Sequence, residues 1–212
     1  MVAHHARIIG TSLFLFALTS THSAGAGAPT DQLREGIDRV VKILRDPALR
    51  GDKNITERRV EIAKAADEIF DFAETAKRAL GQYWARRTPA EREDFVRLFT
   101  GLVQRTYISK VDQADSEMVF QGDAVDGDQA TVRTTLILGA NRDMSLNYRM
   151  HQRTNRWQVY DISVDGVSLV GNYRTQFNTI IRTNSYDTLV ARLKSQQTVL
   201  SAVSTGRPVP VR

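Results

Sequence analysis

The chain of 212 residues has no cysteine. That absence removes a disulfide framework, a thiolate-bound zinc site and a thiol nucleophile together. Histidine is nearly as scarce. His4, His5 and His22 all precede residue 27, which leaves His151 alone in the body of the chain and excludes a histidine-rich metal centre. With 42% hydrophobic and 25% charged residues, neither wholesale disorder nor a polytopic membrane protein fits. Basic charge is massed nowhere, since 29 Lys and Arg are interleaved with 24 Asp and Glu for a net charge of +5. A nucleic-acid-binding face concentrates its charge, and this spread argues against one. A bilayer-spanning run is missing too: the longest apolar stretch, Ile8 to Thr19, has about a dozen residues against the ~20 needed.

That short run follows Arg7 and precedes Ala24-Gly25-Ala26, which fits the small-x-small cleavage rule. Residues 1–26 are therefore expected to be a secretory signal peptide. The weak positive charge ahead of the run keeps an uncleaved anchor as the other reading. One domain is expected over residues 27–197, and a flexible tail over 198–212 that closes with Pro208-Val209-Pro210.

Periodicity organises what remains. Leu33, Ile37, Val40, Val41 and Leu44 form a helical stripe that Asp46-Pro47 ends. Asn54 or Thr56 is expected to cap a second helix through Ile62, Ala65, Ile69 and Phe70. Its apolar face continues over Phe72, Ala76, Ala79 and Leu80 as far as Gly81. Thr88-Pro89-Ala90-Glu91 is a capping box with proline at the first helical position, opening a helix that carries Phe95, Phe99 and Val103. The period then changes to two. Gln129–Leu138, Met144–Met150 and Trp157–Val164 alternate, and Glu117–Gln121 adds an outer strand. Helical spacing returns after Asp165-Gly166, and a last helix holds Leu189, Val190 and Leu193. The expected fold is α+β, a four-stranded antiparallel sheet packed by helices around one interior. Phe70, Phe72, Trp84, Phe95, Phe99, Tyr148, Trp157, Tyr173 and Phe177 would crowd it, as filled core or as the wall of a greasy cavity.

The catalytic inventory is thin. His151 falls on the polar side of its strand with no predicted acid beside it, and a surface histidine is expected. Asp67, Glu68 and Asp71 read as a solvated face or a helix start. Asp161, between Tyr160 and Ile162, is either a desolvated base or an ion-pair partner of Arg149 or Arg174, and the second reading is favoured. No phosphate-cradling glycine loop, nucleophile elbow or metal-spaced cluster occurs.

Several motifs stand in order along the chain: Phe70-Asp71-Phe72, Leu80-Gly81-Gln82-Tyr83-Trp84, Thr88-Pro89-Ala90-Glu91-Arg92, Asn147-Tyr148-Arg149 and Trp157-Gln158-Val159-Tyr160-Asp161. The run from Asp165-Gly166-Val167-Ser168 through Gly171-Asn172-Tyr173-Arg174 to Phe177 completes the set. Over Asp31 to Leu193 the chain resembles the MlaC family, the periplasmic phospholipid-binding component of the Mla system, also called the toluene-tolerance auxiliary family. The resemblance implies a cone-shaped, NTF2-like fold with an apolar pocket. It also implies a non-enzymatic periplasmic carrier, without cofactor or metal, moving phospholipid between an outer-membrane lipoprotein complex and an inner-membrane ABC-type transporter with its substrate-binding ring. A monomer that binds no nucleic acid is expected. Phe99, Val103, Val132, Leu136, Leu146, Tyr148, Val159, Ile162, Val170, Tyr173 and Phe177 are the expected tail contacts. Arg149 and Arg174 either meet a headgroup at the mouth or pair with Asp161 or Asp165. Two alternatives stay open: a hopanoid-like lipid as cargo, and a small-molecule isomerase or hydratase using Asp161 and Tyr160.

Overall fold

The computed structural model of the chain describes residues 28–49, 51, 54–111, 117–138 and 143–204. The expected signal peptide lies outside them, as do residues 205–212 of the expected tail. No helix among the described residues is long and apolar enough to cross a membrane.

Four helices come first: α1 (Ala28–Arg45), α2 (Ile55–Ile69), α3 (Phe72–Leu80) and α4 (Pro89–Val111). The strands β1 (Glu117–Asp126), β2 (Gln129–Ile137), β3 (Asp143–Arg153), β4 (Arg156–Val164) and β5 (Val167–Ser168) follow, then α5 (Leu169–Thr183) and α6 (Tyr186–Ser204). The α+β expectation holds, with one correction. The antiparallel meander, ordered β1-β2-β3-β4-β5, has five strands rather than four. Asp165 and Gly166 take φ values of 47° and 84°, a two-residue reversal that lets Val167 and Ser168 pair with Val164 and Ser163. Two residues are too few to show alternation, so period gave no hint of β5. The last helix also continues to Ser204, past the Thr198 where the tail was expected to begin.

The α4 start follows its motif. Glu91 N–H donates to Thr88 Oγ1 at 3.3 Å, and Thr88 N–H donates to Glu91 Oε2 at 2.7 Å. Asn54 stands before α2 but does not cap it with its side chain; its amide instead donates to the Ala48 carbonyl at 2.8 Å. The continuous apolar face from α2 to Gly81 is broken, because Phe70 is extended and bridges Val159 of β4. Asp71 N–H donates to the Val159 carbonyl at 2.9 Å, and its carboxylate caps α3 by accepting Glu74 N–H at 2.8 Å. Where α1 crosses α2, Gly36 permits the approach, since a Cβ there would stand 2.5 Å from Ile69 Cγ1.

The aromatic residues do not crowd one interior. Phe95, Phe99 and Phe177 form a helical cluster with Leu98, Leu189 and Leu193 of α4 and α6, flanked by Phe72, Trp84 and Tyr173. Tyr148 and Trp157 belong to a second cluster with Val132, Met150 and Val159 of the sheet and Leu33 and Ile69 of α1 and α2, with Phe70 at its edge.

Candidate functional site

Between the two clusters lies a cavity of about 830 Å³, near the upper end of the usual range for ligand pockets. α1 contributes Leu33, Ile37, Val40, Val41 and Leu44, whose stripe at helical spacing faces inward. Ile62, Ala66 and Ile69 of α2 continue that wall, and Val103, Tyr107 and Ile108 of α4 close it. The sheet supplies Met118, Leu136, Leu146, Tyr148, Ile162 and Val164. Cross-strand pairing of Leu136 with Met144, of Tyr148 with Ile162 and of Leu146 with Val164 holds their strands in register. The lining is mostly hydrocarbon, with a few polar groups: Thr75, Gln104, Tyr160, Asp161, Ser168, Asn172, Arg45 and Arg58.

These polar groups are largely committed. Thr75 Oγ1 donates to the Tyr160 carbonyl at 3.1 Å, and Gln104 Nε2 donates to Asp67 Oδ1 at 2.9 Å. Asp161 is buried; its Oδ2 accepts Ser168 Oγ–H at 2.6 Å and its Oδ1 accepts Val170 N–H at 3.0 Å. Asp161 therefore organises the start of α5, and Arg149 Nη1 stands 3.7 Å from it. Burial pushes the Tyr148 phenol up to about 12, only partly offset by a hydrogen bond with Thr134, so it stays neutral. Among the described residues no group of three or more His, Asp or Glu side chains could hold a metal ion.

Of the eleven expected tail contacts, Val103, Leu136, Leu146, Tyr148 and Ile162 line the cavity. Phe99, Tyr173 and Phe177 do not; their rings pack on one another, Phe99 edge-on to Tyr173 at 5.0 Å and to Phe177 at 5.4 Å. Val132 and Val159 are fully buried in the cluster between the sheet and α1–α2. Val170 is buried at the start of α5, outside the lining. Neither expected headgroup arginine reaches the cavity wall. Arg149 is paired with Asp161, as the favoured reading had it, and Arg174 Nε donates to the Arg78 carbonyl at 2.9 Å. His151 is corrected: it is buried, with Nε2 3.0 Å from Asp71 Oδ2. Sequence reasoning passed over the α1 and α2 stripes, Arg45 and Arg58. The apolar α1 stripe was visible, but nothing in its period distinguishes a helix packed on core from one facing a void.

The arrangement is a container, suited to enclosing an apolar body rather than to activating one. A solved structure with a similar fold is that of the phospholipid-binding protein from Ralstonia solanacearum in complex with a phospholipid, with a TM-score of 0.72 and 26% sequence identity. The match covers 82% of this chain and 99% of that one. The sequence model of the family described as MlaC protein matches residues 34–195, which takes in both walls of the cavity. The chain belongs to the MlaC family.

Proposed function

We propose that this protein is a periplasmic lipid carrier that encloses the acyl chains of a phospholipid. It passes that lipid between an outer-membrane lipoprotein complex and an inner-membrane ABC-type transporter. The observation that carries the reading is the cavity of about 830 Å³, walled by hydrocarbon side chains from α1 to α5 and from all five strands. A cavity of that size is in the range that takes up sizeable apolar ligands. Each methylene withdrawn from water contributes ~0.8 kcal/mol, a driving force that needs no directional contact. The phospholipid complex of the Ralstonia solanacearum protein supports the choice of cargo. A binding role rather than a catalytic one agrees with Asp161, whose two carboxylate oxygens are committed to Ser168 and Val170.

Native mass spectrometry of the chain purified without detergent, followed by organic extraction, tests the reading. A co-purifying phospholipid is the expected result. A hopanoid would keep the carrier and change the cargo. A protein that arrives empty and takes up no lipid from vesicles would overturn the proposal.

A further inference from the structure

Three methionines lie among the described residues, and their settings differ. Met150 is buried in the cluster between the sheet and α1–α2. Met144 is half-buried and stands outside the cavity lining. Met118, on the outer strand β1, is half-buried and lines the cavity. Its sulfur is turned to the wall: Tyr148 O–H donates to Met118 Sδ at 3.9 Å, and Tyr148 is itself buried in the same lining. Among the described residues of that lining, Met118 is the only one that carries sulfur. A thioether in a hydrocarbon wall is its most readily oxidised point, and its sulfoxide is polar.

We infer that Met118 is an oxidation site shielded by the cargo: hypochlorous acid converts the empty carrier to a sulfoxide form that takes up lipid poorly, and spares the filled one. The inference rests on the carrier reading and adds a regulation of the same cavity. Acyl chains packed on the wall cover Sδ. In the empty chain, any opening that admits an acyl chain admits a molecule as small as hypochlorous acid. The Sδ lone pair takes the chlorine and hydroxide leaves; water then displaces the chlorine as chloride. Sulfur loses two electrons and chlorine gains them, and the net products are the sulfoxide, one chloride and one proton. Tyr148, a neutral phenol, donates to the new oxygen, a stronger acceptor than a thioether sulfur, so the modified wall keeps its fold. The S–O dipole still faces the acyl chains, and burying it against hydrocarbon weakens binding.

The test compares the lipid-free full chain with the chain filled from vesicles of phosphatidylglycerol. The acyl chains are saturated, so that the lipid consumes no oxidant, and native mass spectrometry verifies the filling. Each sample receives limiting hypochlorous acid and is mapped by peptide mass spectrometry. Met118 sulfoxide should form in the empty chain and be nearly absent from the filled one, whereas Met144 sulfoxide should form alike in both. The oxidised empty chain should then bind lipid about tenfold more weakly, the effect of one polar group set in hydrocarbon. Met118→Leu conserves volume and apolarity; it should load normally and go on loading after the same treatment. Equal oxidation of Met118 in filled and empty chains overturns the inference, as does loss of uptake by oxidised Met118→Leu, and both leave the carrier reading standing. A chain that cannot be filled at all overturns the carrier reading and this inference with it.

Discussion

A carboxylate introduced at Leu146 would stand in the cavity wall next to Tyr148 and Ile162. An ionised group there demands water, and the water it draws in displaces hydrocarbon. Leu146→Glu is therefore expected to purify without lipid, as native mass spectrometry would register. Phe99 is just as apolar but is fully buried among Phe95, Tyr173 and Phe177. Phe99→Ala should cost about 3–5 kcal/mol by leaving a void in a packed core, measured as a lowered urea midpoint. Asp161→Asn weakens two charge-assisted hydrogen bonds, so a loss of about 1–2 kcal/mol is expected in a thermal melt. At this scale the sequence was half legible. All eleven expected contacts are apolar or aromatic, yet period alone treats Leu146 and Phe99 alike, and only three-dimensional placement separates wall from core.

Between elements, the break at Phe70-Asp71 matters most. Asp71 joins α3 to the sheet through its own N–H, His151 and Arg153, whose Nη1 lies 3.3 Å from Asp71 Oδ2. Glu74, one turn on, is buried beside Lys77, Arg78 and Arg153. Burial alone would raise the Glu74 carboxyl, but hydrogen bonds and charge from Lys77 and Arg78 outweigh it and hold the group below the usual 4.5. A carboxyl depressed by folding contributes stability that is present above its unfolded value and is lost as pH falls through the folded one. Urea midpoints should thus fall with acid below about pH 4.5, and Glu74→Gln should flatten that slope. The Thr88 capping box was readable because both partners lie within four positions. A helix start at Asp71 was one of the two readings of that residue, but the break that precedes it was not legible, since what halts α2 is the Val159 carbonyl, far along the chain on β4.

Across the whole molecule the hydrophobic residues fall into two packed clusters with a void between them, joined by the Asp71 and Thr75 contacts to β4, by Asp161 to the start of α5 and by Gln104 of α4 to Asp67 of α2. The void sets a capacity. Each added methylene should slow the transfer of lipid back to vesicles until the chains outgrow the cavity, after which the gain should level off. Continued slowing beyond that length would mean that the cavity enlarges around its cargo. The same division has a consequence for the lifetime of the protein. An occupant that fills the void adds contacts to both cores, and a ligand that binds only the folded chain raises stability by mass action. Proteases that act on the unfolded form therefore meet the empty carrier more often than the filled one. In a cell short of cargo the abundance of the protein should decline without any change in its synthesis, so that lipid supply governs how many carriers persist.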